Sequence, residues 1–219
     1  MSSYNDAYKR KRRERIFNIP QLIQLAAQSI NRHADEVAAF EKLAEGGFNR
    51  TFLVSMRDGY KLVVRIPYTS TEPRQLLVAS EAATLDYLRS NGLPVPKMFG
   101  YSATADNPAG TEYMFIEFIH GTNLGDIWFD LPENARIKVV KNLVKLESSL
   151  FNLKFPASGS LYYKKDLDLS TQVAVPPMFS SASEYCIGPD TSLHLWYGKR
   201  LGLQCFRGPC ELPFHVDFL

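Results

Sequence analysis

Residues 40–66 place the tightest constraint on what this chain can fold into. Two strand-like runs, about 38–44 and 50–56, flank the pair Gly46-Gly47. A second turn, Arg57-Asp58-Gly59, leads into a third run in which Arg65 sits between Val64 and Ile66. Asp-Gly between alternating apolar residues is a strong hairpin signal. Strand, glycine turn, strand, hairpin and a strand bearing a cation is one way to build a phosphate cradle. Glycine lets backbone N–H groups approach an anion, and a cation on the next strand reaches the same anion. The same residues also read as a plain three-stranded meander with ordinary turns.

The flanking sequence bears on that choice. Ile19, Leu22, Ile23, Ala26 and Ile30 follow a helical period over residues 19–31, with Pro20 suited to the first turn. In the third strand Leu62, Val64 and Ile66 share one face, and Lys61, Val63 and Arg65 the other. Residues 73–91 read as a helix that stops at Asn91-Gly92, with Leu77, Leu85 and Leu88 as its apolar stripe. Glu81 falls within that stripe, where a carboxylate must be paired or neutral. Arg65 is its partner if the helix packs beside the third strand; otherwise Glu81 snorkels at the stripe's edge. Strands are expected at about 97–103 and 111–119, and Tyr113–Ile119 is apolar enough for a central, two-sided strand. A connector, His120-Gly121-Thr122-Asn123, then leads to a long helix over about 132–153. Val139, Leu143, Leu146, Leu150 and Leu153 mark its buried face. Beyond residue 154, Pro, Gly and Ser are frequent, Pro176-Pro177 interrupts, and only short strands are expected.

Composition excludes several classes. Residues 9–15 carry about +5 against a whole-chain charge of +2, leaving about −3 elsewhere, so a nucleic-acid-coating surface is not expected. The basic run fits a nuclear signal, an RNA or lipid contact, part of a targeting segment, or a solvated tail. Asp6 and Glu14 are untypical of a mitochondrial presequence, although the arginine content leaves that alternative open. Cys186, Cys205 and Cys210 make an odd, small set, which argues for a reducing compartment and against a disulfide framework or zinc site. No apolar run approaches the roughly 20 residues that cross a bilayer. The four histidines are scattered, Asp166 and Asp168 read as solvated loop residues, and Trp196-Tyr197 as core or rim.

The order of these elements resembles the small lobe of the protein-kinase-like fold, and more particularly the aminoglycoside phosphotransferase family in its fungal branch. Glu45–Val54, Val63–Pro67, Ser80-Glu81 and Ile116–Leu124 stand where that family has its glycine loop, cation strand, helix carboxylate and hinge. Residues 146–150, 155–162, 186–189 and 207–209 also look like that branch. The resemblance implies that Gly46, Gly47, Phe48 and Asn49 cover the phosphates of ATP. Arg65 would hold the α and β phosphates, Glu81 would orient Arg65, and the backbone at Glu117 and Ile119 would bind adenine. Lysine is usual where Arg65 stands, and a forked, bulkier guanidinium is not an equivalent group. The family also uses a catalytic-loop Asp, a downstream Asn and a second Asp for Mg2+, none of which is placed here. His215-Val216-Asp217 reads as a coincidental match.

The expectations are therefore an α+β fold with a kinase-like small lobe, a five-stranded antiparallel sheet plus helix, followed by the beginning of a helical large lobe. Residues 1–18 would be a basic tail, 19–121 the nucleotide-binding lobe and 122–219 the incomplete helical lobe. By resemblance the function is ATP-dependent phosphoryl transfer to a hydroxyl of a small molecule, its acceptor not identified, with this chain an inactive fragment. The alternative is a pseudokinase-type nucleotide-binding or protein-interaction module. Location is mitochondrial by resemblance, with cytoplasmic as the alternative.

Overall fold

The computed structural model describes residues 15–175 and 184–211. Pro176-Pro177, most of the basic run and His215–Asp217 lie outside the described residues. Helix α1 (Ile19–Ser29) opens on Asn18, whose side chain accepts a hydrogen bond from the Gln21 amide at 3.2 Å, with Pro20 in the first turn. Strands β1 (Val37–Glu45), β2 (Asn49–Met56), β3 (Lys61–Pro67), β4 (Met98–Ser102) and β5 (Tyr113–Glu117) form one antiparallel sheet in the order β1-β2-β3-β5-β4. The architecture is the expected α+β one, a five-stranded antiparallel sheet with helices packed on it.

The period-two pattern decides what each sheet face meets. Leu62, Val64, Ile66, Tyr113 and Phe115 join Leu22 and Ala26 of α1 in one cluster. Val63, Met114 and Ile116 face the other way, onto helix α2 (Arg74–Ser90). β5 is thus the two-sided strand its composition predicts. Gly59 closes the β2–β3 hairpin at φ +88°, and Gly92 ends α2 at φ +80°. Both are left-handed positions that favour glycine.

Three expectations need correction. On α1 the buried face is Leu22, Ala26 and Ala27, and Ile19 is exposed. The buried residues of α2 are Val78, Ala79, Ser80, Ala82, Ala83 and Tyr87, whereas Leu77, Leu85 and Leu88 are only partly covered. This helix lies between two sheets, and small residues permit the close approach that leucines would block. The long helix, α4 (Glu133–Phe151), follows the short α3 (Leu124–Ile127) and has no buried residue; Leu143 is 53% and Val144 56% exposed. Of the expected face, Leu143, Leu146 and Leu150 are exposed and Val139 is partly covered, while Leu153, beyond the helix end, packs against the cluster of Ala83 and Tyr87.

The second sheet on α2 comes from beyond the connector. Strands β7 (Ser160–Tyr163), β9 (Tyr185–Gly188) and β8 (Val173–Ala174) pair antiparallel in the order β7-β9-β8. A two-stranded piece joins β6 (Ala157–Ser158) to β10 (Cys210–Glu211). Tyr163 stacks on Tyr185 at 5.2 Å and on Tyr101 at 5.8 Å. Asp166, expected to be solvated, instead accepts a 2.6 Å hydrogen bond from the Tyr101 hydroxyl. Near the C-terminal end of the described chain, short helix α5 (Leu193–Trp196) carries Trp196 at the rim, its Nε1 donating to the Asp190 carbonyl at 2.7 Å.

Of the basic run, Arg15 is described and is not solvated. It pairs with Glu112, and Arg74 Nη1 stands 3.6 Å from the same carboxylate. Glu112 is buried, and burial, then the like charge of Arg74, lowers the Arg15 guanidinium to about 10. Removing the shared anion strands Arg15 in a desolvated site. Glu112→Ala is expected to cost about 3–5 kcal/mol in urea unfolding, as loss of one partner of a buried pair does. The tyrosines generate a second expectation. Burial first, then a hydrogen bond to Asp166 and to Asp86 respectively, raises Tyr101 and Tyr163 well above the ordinary 10.0. Folding therefore favours the neutral phenols. Their contribution is whole below the unfolded value of 10.0 and is lost as pH rises beyond it. The melting temperature should fall more steeply above about pH 10 in the parent than in a Tyr163→Phe variant.

Candidate functional site

The register of β2 and β3 sets the distance between the glycine turn and the cation. Asn49 pairs with Pro67, Arg50 with Ile66 and Thr51 with Arg65, so Arg65 lies two ladder steps from the turn's last residue. Arg65 projects from the β3 face that packs on α2, and its Nη1 donates to Glu81 Oε1. This is the pairing that a carboxylate on the helix required. Glu81 stands at the margin of the buried face, however, and both side chains are about 30% exposed or slightly less. A guanidinium carries five donors, and the bond to Glu81 engages Nη1, which leaves the donors on Nε and Nη2 for other acceptors.

Gly46, Gly47, Phe48 and Asn49 form the β1–β2 turn, closed by the Gly46 amide donating to the Asn49 carbonyl at 2.9 Å. Neither glycine has a positive φ. A Cβ at Gly47 would meet nothing within 4 Å, and at Gly46 only the Asn49 carbonyl at 3.7 Å. The two glycines therefore leave open space rather than relieve strain, which suits a backbone that another molecule must approach closely. The turn is anchored on the far side. The Phe48 carbonyl accepts from the Tyr68 amide at 2.9 Å and from the Thr71 hydroxyl at 2.8 Å, and Thr71 is buried. At the turn's base Arg50 Nε donates to Glu45 at 3.0 Å across the ladder pair Glu45–Arg50. Neither anchor was foreseen; a Thr followed by polar residues carries no periodic signal.

Glu117 and Ile119 lie at the end of β5 and just beyond it. Glu117 faces away from Arg65: its carboxylate accepts from the Lys97 amide at 2.9 Å and from Arg89 at 3.2 Å. Its own amide donates to the Lys97 carbonyl at 2.9 Å. These contacts hold the β4 entry and the end of α2 to the hinge-like segment. Ile119 is exposed, and its amide makes no hydrogen bond with a described residue. The structure thus brings Arg65 and Glu81 together beside the glycine turn, and leaves the Ile119 backbone open one strand away. Among the described residues no group of three or more His, Cys, Asp or Glu side chains could hold a metal ion. No helix among them is long and apolar enough to cross a membrane.

The anchoring of the turn has a measurable consequence. Thr71→Val removes one of two hydrogen bonds to the Phe48 carbonyl, at about 1 kcal/mol. Amide exchange at Phe48–Arg50 should quicken in that variant while exchange in β3 stays at the parental rate.

No family model matches the chain. It is 38% identical over 185 residues to a subtelomeric hrmA-associated cluster protein of Aspergillus fumigatus, covering 81% of this chain and 35% of the relative. It is 29% identical over 229 residues to altered inheritance of mitochondria protein 9, mitochondrial, of Yarrowia lipolytica, covering 94% of this chain and 40% of that protein. The chain therefore spans between a third and a half of the length of these curated relatives. A crystal structure from Ralstonia eutropha, assigned as an aminoglycoside phosphotransferase, aligns with 49% of the chain at 22% identity and a TM-score of 0.38. The chain is thus similar, along four-fifths of its length or more, to the subtelomeric hrmA-associated cluster protein and to altered inheritance of mitochondria protein 9, and its sheet order, helix carboxylate and strand cation stand in the expected places.

Proposed function

We propose that this chain is the nucleotide-holding part of an aminoglycoside phosphotransferase-like protein, with ATP as its ligand. The observation that carries the reading is the Arg65–Glu81 pair, on the strand and helix next to an unobstructed glycine turn. Gly46, Gly47, Phe48 and Asn49 would cover the phosphates, and Nε and Nη2 of Arg65 would meet the α and β phosphate oxygens. Glu81 orients the guanidinium, and the backbone at Glu117 and Ile119 would hold adenine. The pieces present fit a nucleotide by charge and by space. Among the described residues no group of three or more His, Cys, Asp or Glu is gathered for a metal ion, and no residue of this chain is assigned to Mg2+. We derive no chemical step from this chain alone; transfer to a hydroxyl of a small molecule belongs to the reading of the longer relatives. The relatives called altered inheritance of mitochondria protein 9 are named as mitochondrial, and we assign this chain to the same compartment.

A second reading has its own support. The uncovered stripe on α4, including Ile137, Val140, Leu143 and Val144, favours an interaction module. Thermal unfolding in ATP separates the two. A ligand at a hundred times its Kd stabilises by about 2.7 kcal/mol, so a clear rise in melting temperature is expected with ATP. Arg65→Ala should abolish the excess stabilisation by ATP over adenosine. An unchanged melting temperature across millimolar ATP, with and without magnesium, would remove the nucleotide reading and leave the interaction module.

A further inference from the structure

α2 has two packed faces and one working edge. Val78 and Ala82, with Leu85, lie on Val63, Met114 and Ile116 of the large sheet. Ala79 meets Tyr162 and Cys186 of the small sheet, and Ala83 and Tyr87 meet Leu161, Tyr185 and Ile187. Alanines at the contact, each no more than 1% exposed, present smooth surfaces. Apolar contact of this kind holds a helix near a sheet but is non-directional, so it does not by itself set the rotation of α2 about its own axis. Hydrogen bonds are directional. Asp86 Oδ2 accepts one from the Tyr163 hydroxyl at 2.8 Å and one from the Tyr185 hydroxyl at 3.3 Å. Among the described residues no cation lies within ion-pair distance of Asp86, so these phenols are its partners.

The two tyrosines are themselves fixed. They stack on each other at 5.2 Å, Tyr87 meets Tyr185 edge-on at 5.2 Å, and Tyr163 stacks at 5.8 Å on Tyr101. Tyr101 belongs to β4 of the large sheet, so the stack joins the two sheets around the helix. Lys165 Nζ lies near two of these rings, 5.2 Å from the centre of Tyr101 and 4.9 Å from that of Tyr163. Asp86 and Glu81 are five residues apart, about 140° round the helix at about 100° per residue. A rotation that frees Asp86 from the tyrosines swings Glu81 away from Arg65 by the same angle.

We propose that Asp86, Tyr163 and Tyr185 are positioning residues that hold α2 in the rotation at which Glu81 meets Arg65. Their role toward a ligand rests on the nucleotide reading, since what they set is the grip of Arg65 on phosphate. Among the described residues no hydrogen bond, ion pair or ring contact joins them to residues 46–49 or to residues 117–119. Their loss should weaken recognition of phosphate and leave recognition of adenine as it is.

The test uses the whole 219-residue chain. The double variant Tyr163→Phe, Tyr185→Phe keeps the ring stack and removes both hydroxyls; Asp86→Asn keeps a carbonyl acceptor. The first readout needs no nucleotide: solvent exchange of the Arg65 Nε–H by nuclear magnetic resonance. Exchange should quicken about tenfold in the double variant, as for a lost hydrogen-bonded constraint of about 1.4 kcal/mol, and stay near the parental rate in Asp86→Asn. The second readout is affinity by calorimetry. The double variant should bind ATP about tenfold more weakly and adenosine as the parent does. Unchanged Arg65 exchange in the double variant, or equal losses for ATP and adenosine, would overturn the proposal. If the parent binds neither compound the nucleotide reading falls, and the exchange measurement alone decides whether the brace sets the ion pair.

Discussion

The site depends on one packing arrangement: α2 lies between two sheets, and only the edge that carries Glu81 is left for charge. Burial on both flanks supplies the stability. The Arg65–Glu81 pair contributes little to it, because a partly exposed ion pair is worth about 0–1 kcal/mol. What the pair supplies is direction. A forked guanidinium held on one side by a carboxylate presents its remaining donors along defined lines. Arg65 is thus held by the helix carboxylate of Glu81.

Charge is managed differently at the two ends of the five-stranded sheet. Around Glu112 two arginines share one buried carboxylate, and the cost of desolvation shows in the lowered Arg15. That cluster ties the segment before α1 to the start of α2 and to β5. At the hinge-like end Glu117 gathers Arg89 and the Lys97 amide in a more open setting. The first arrangement is structural and rigid. The second keeps the β5 exit in place without burying the Ile119 backbone.

Much of the fold was legible because helix and strand periods are local properties. The alternation Leu62, Val64, Ile66 against Val63, Arg65 is the one the sheet uses, and Asp58-Gly59 and Asn91-Gly92 mark a real hairpin and a real helix end. The pairing of Arg65 with Glu81 was also legible, though for an incomplete reason. A stripe drawn through leucines put Glu81 inside the buried face, whereas alanines form that face and Glu81 borders it. Large apolar residues are a poor guide where a helix is clasped on both sides, because close approach selects small ones. The same bias credited α4 with a buried face, whereas Leu143, Leu146 and Leu150 are exposed and Leu153, beyond its end, is the one that packs against the core.

Local sequence determined the secondary elements, their order and the residue types of the candidate site, since backbone hydrogen bonding and side-chain period act over a few positions. Tertiary structure alone decided which faces are covered and what holds α2 in place. Asp86 finds its tyrosines 77 and 99 residues away, and the Phe48 carbonyl finds Thr71 across 23. Such contacts leave no periodic trace, because the partners are brought together by the packing of whole sheets rather than by the spacing of neighbours.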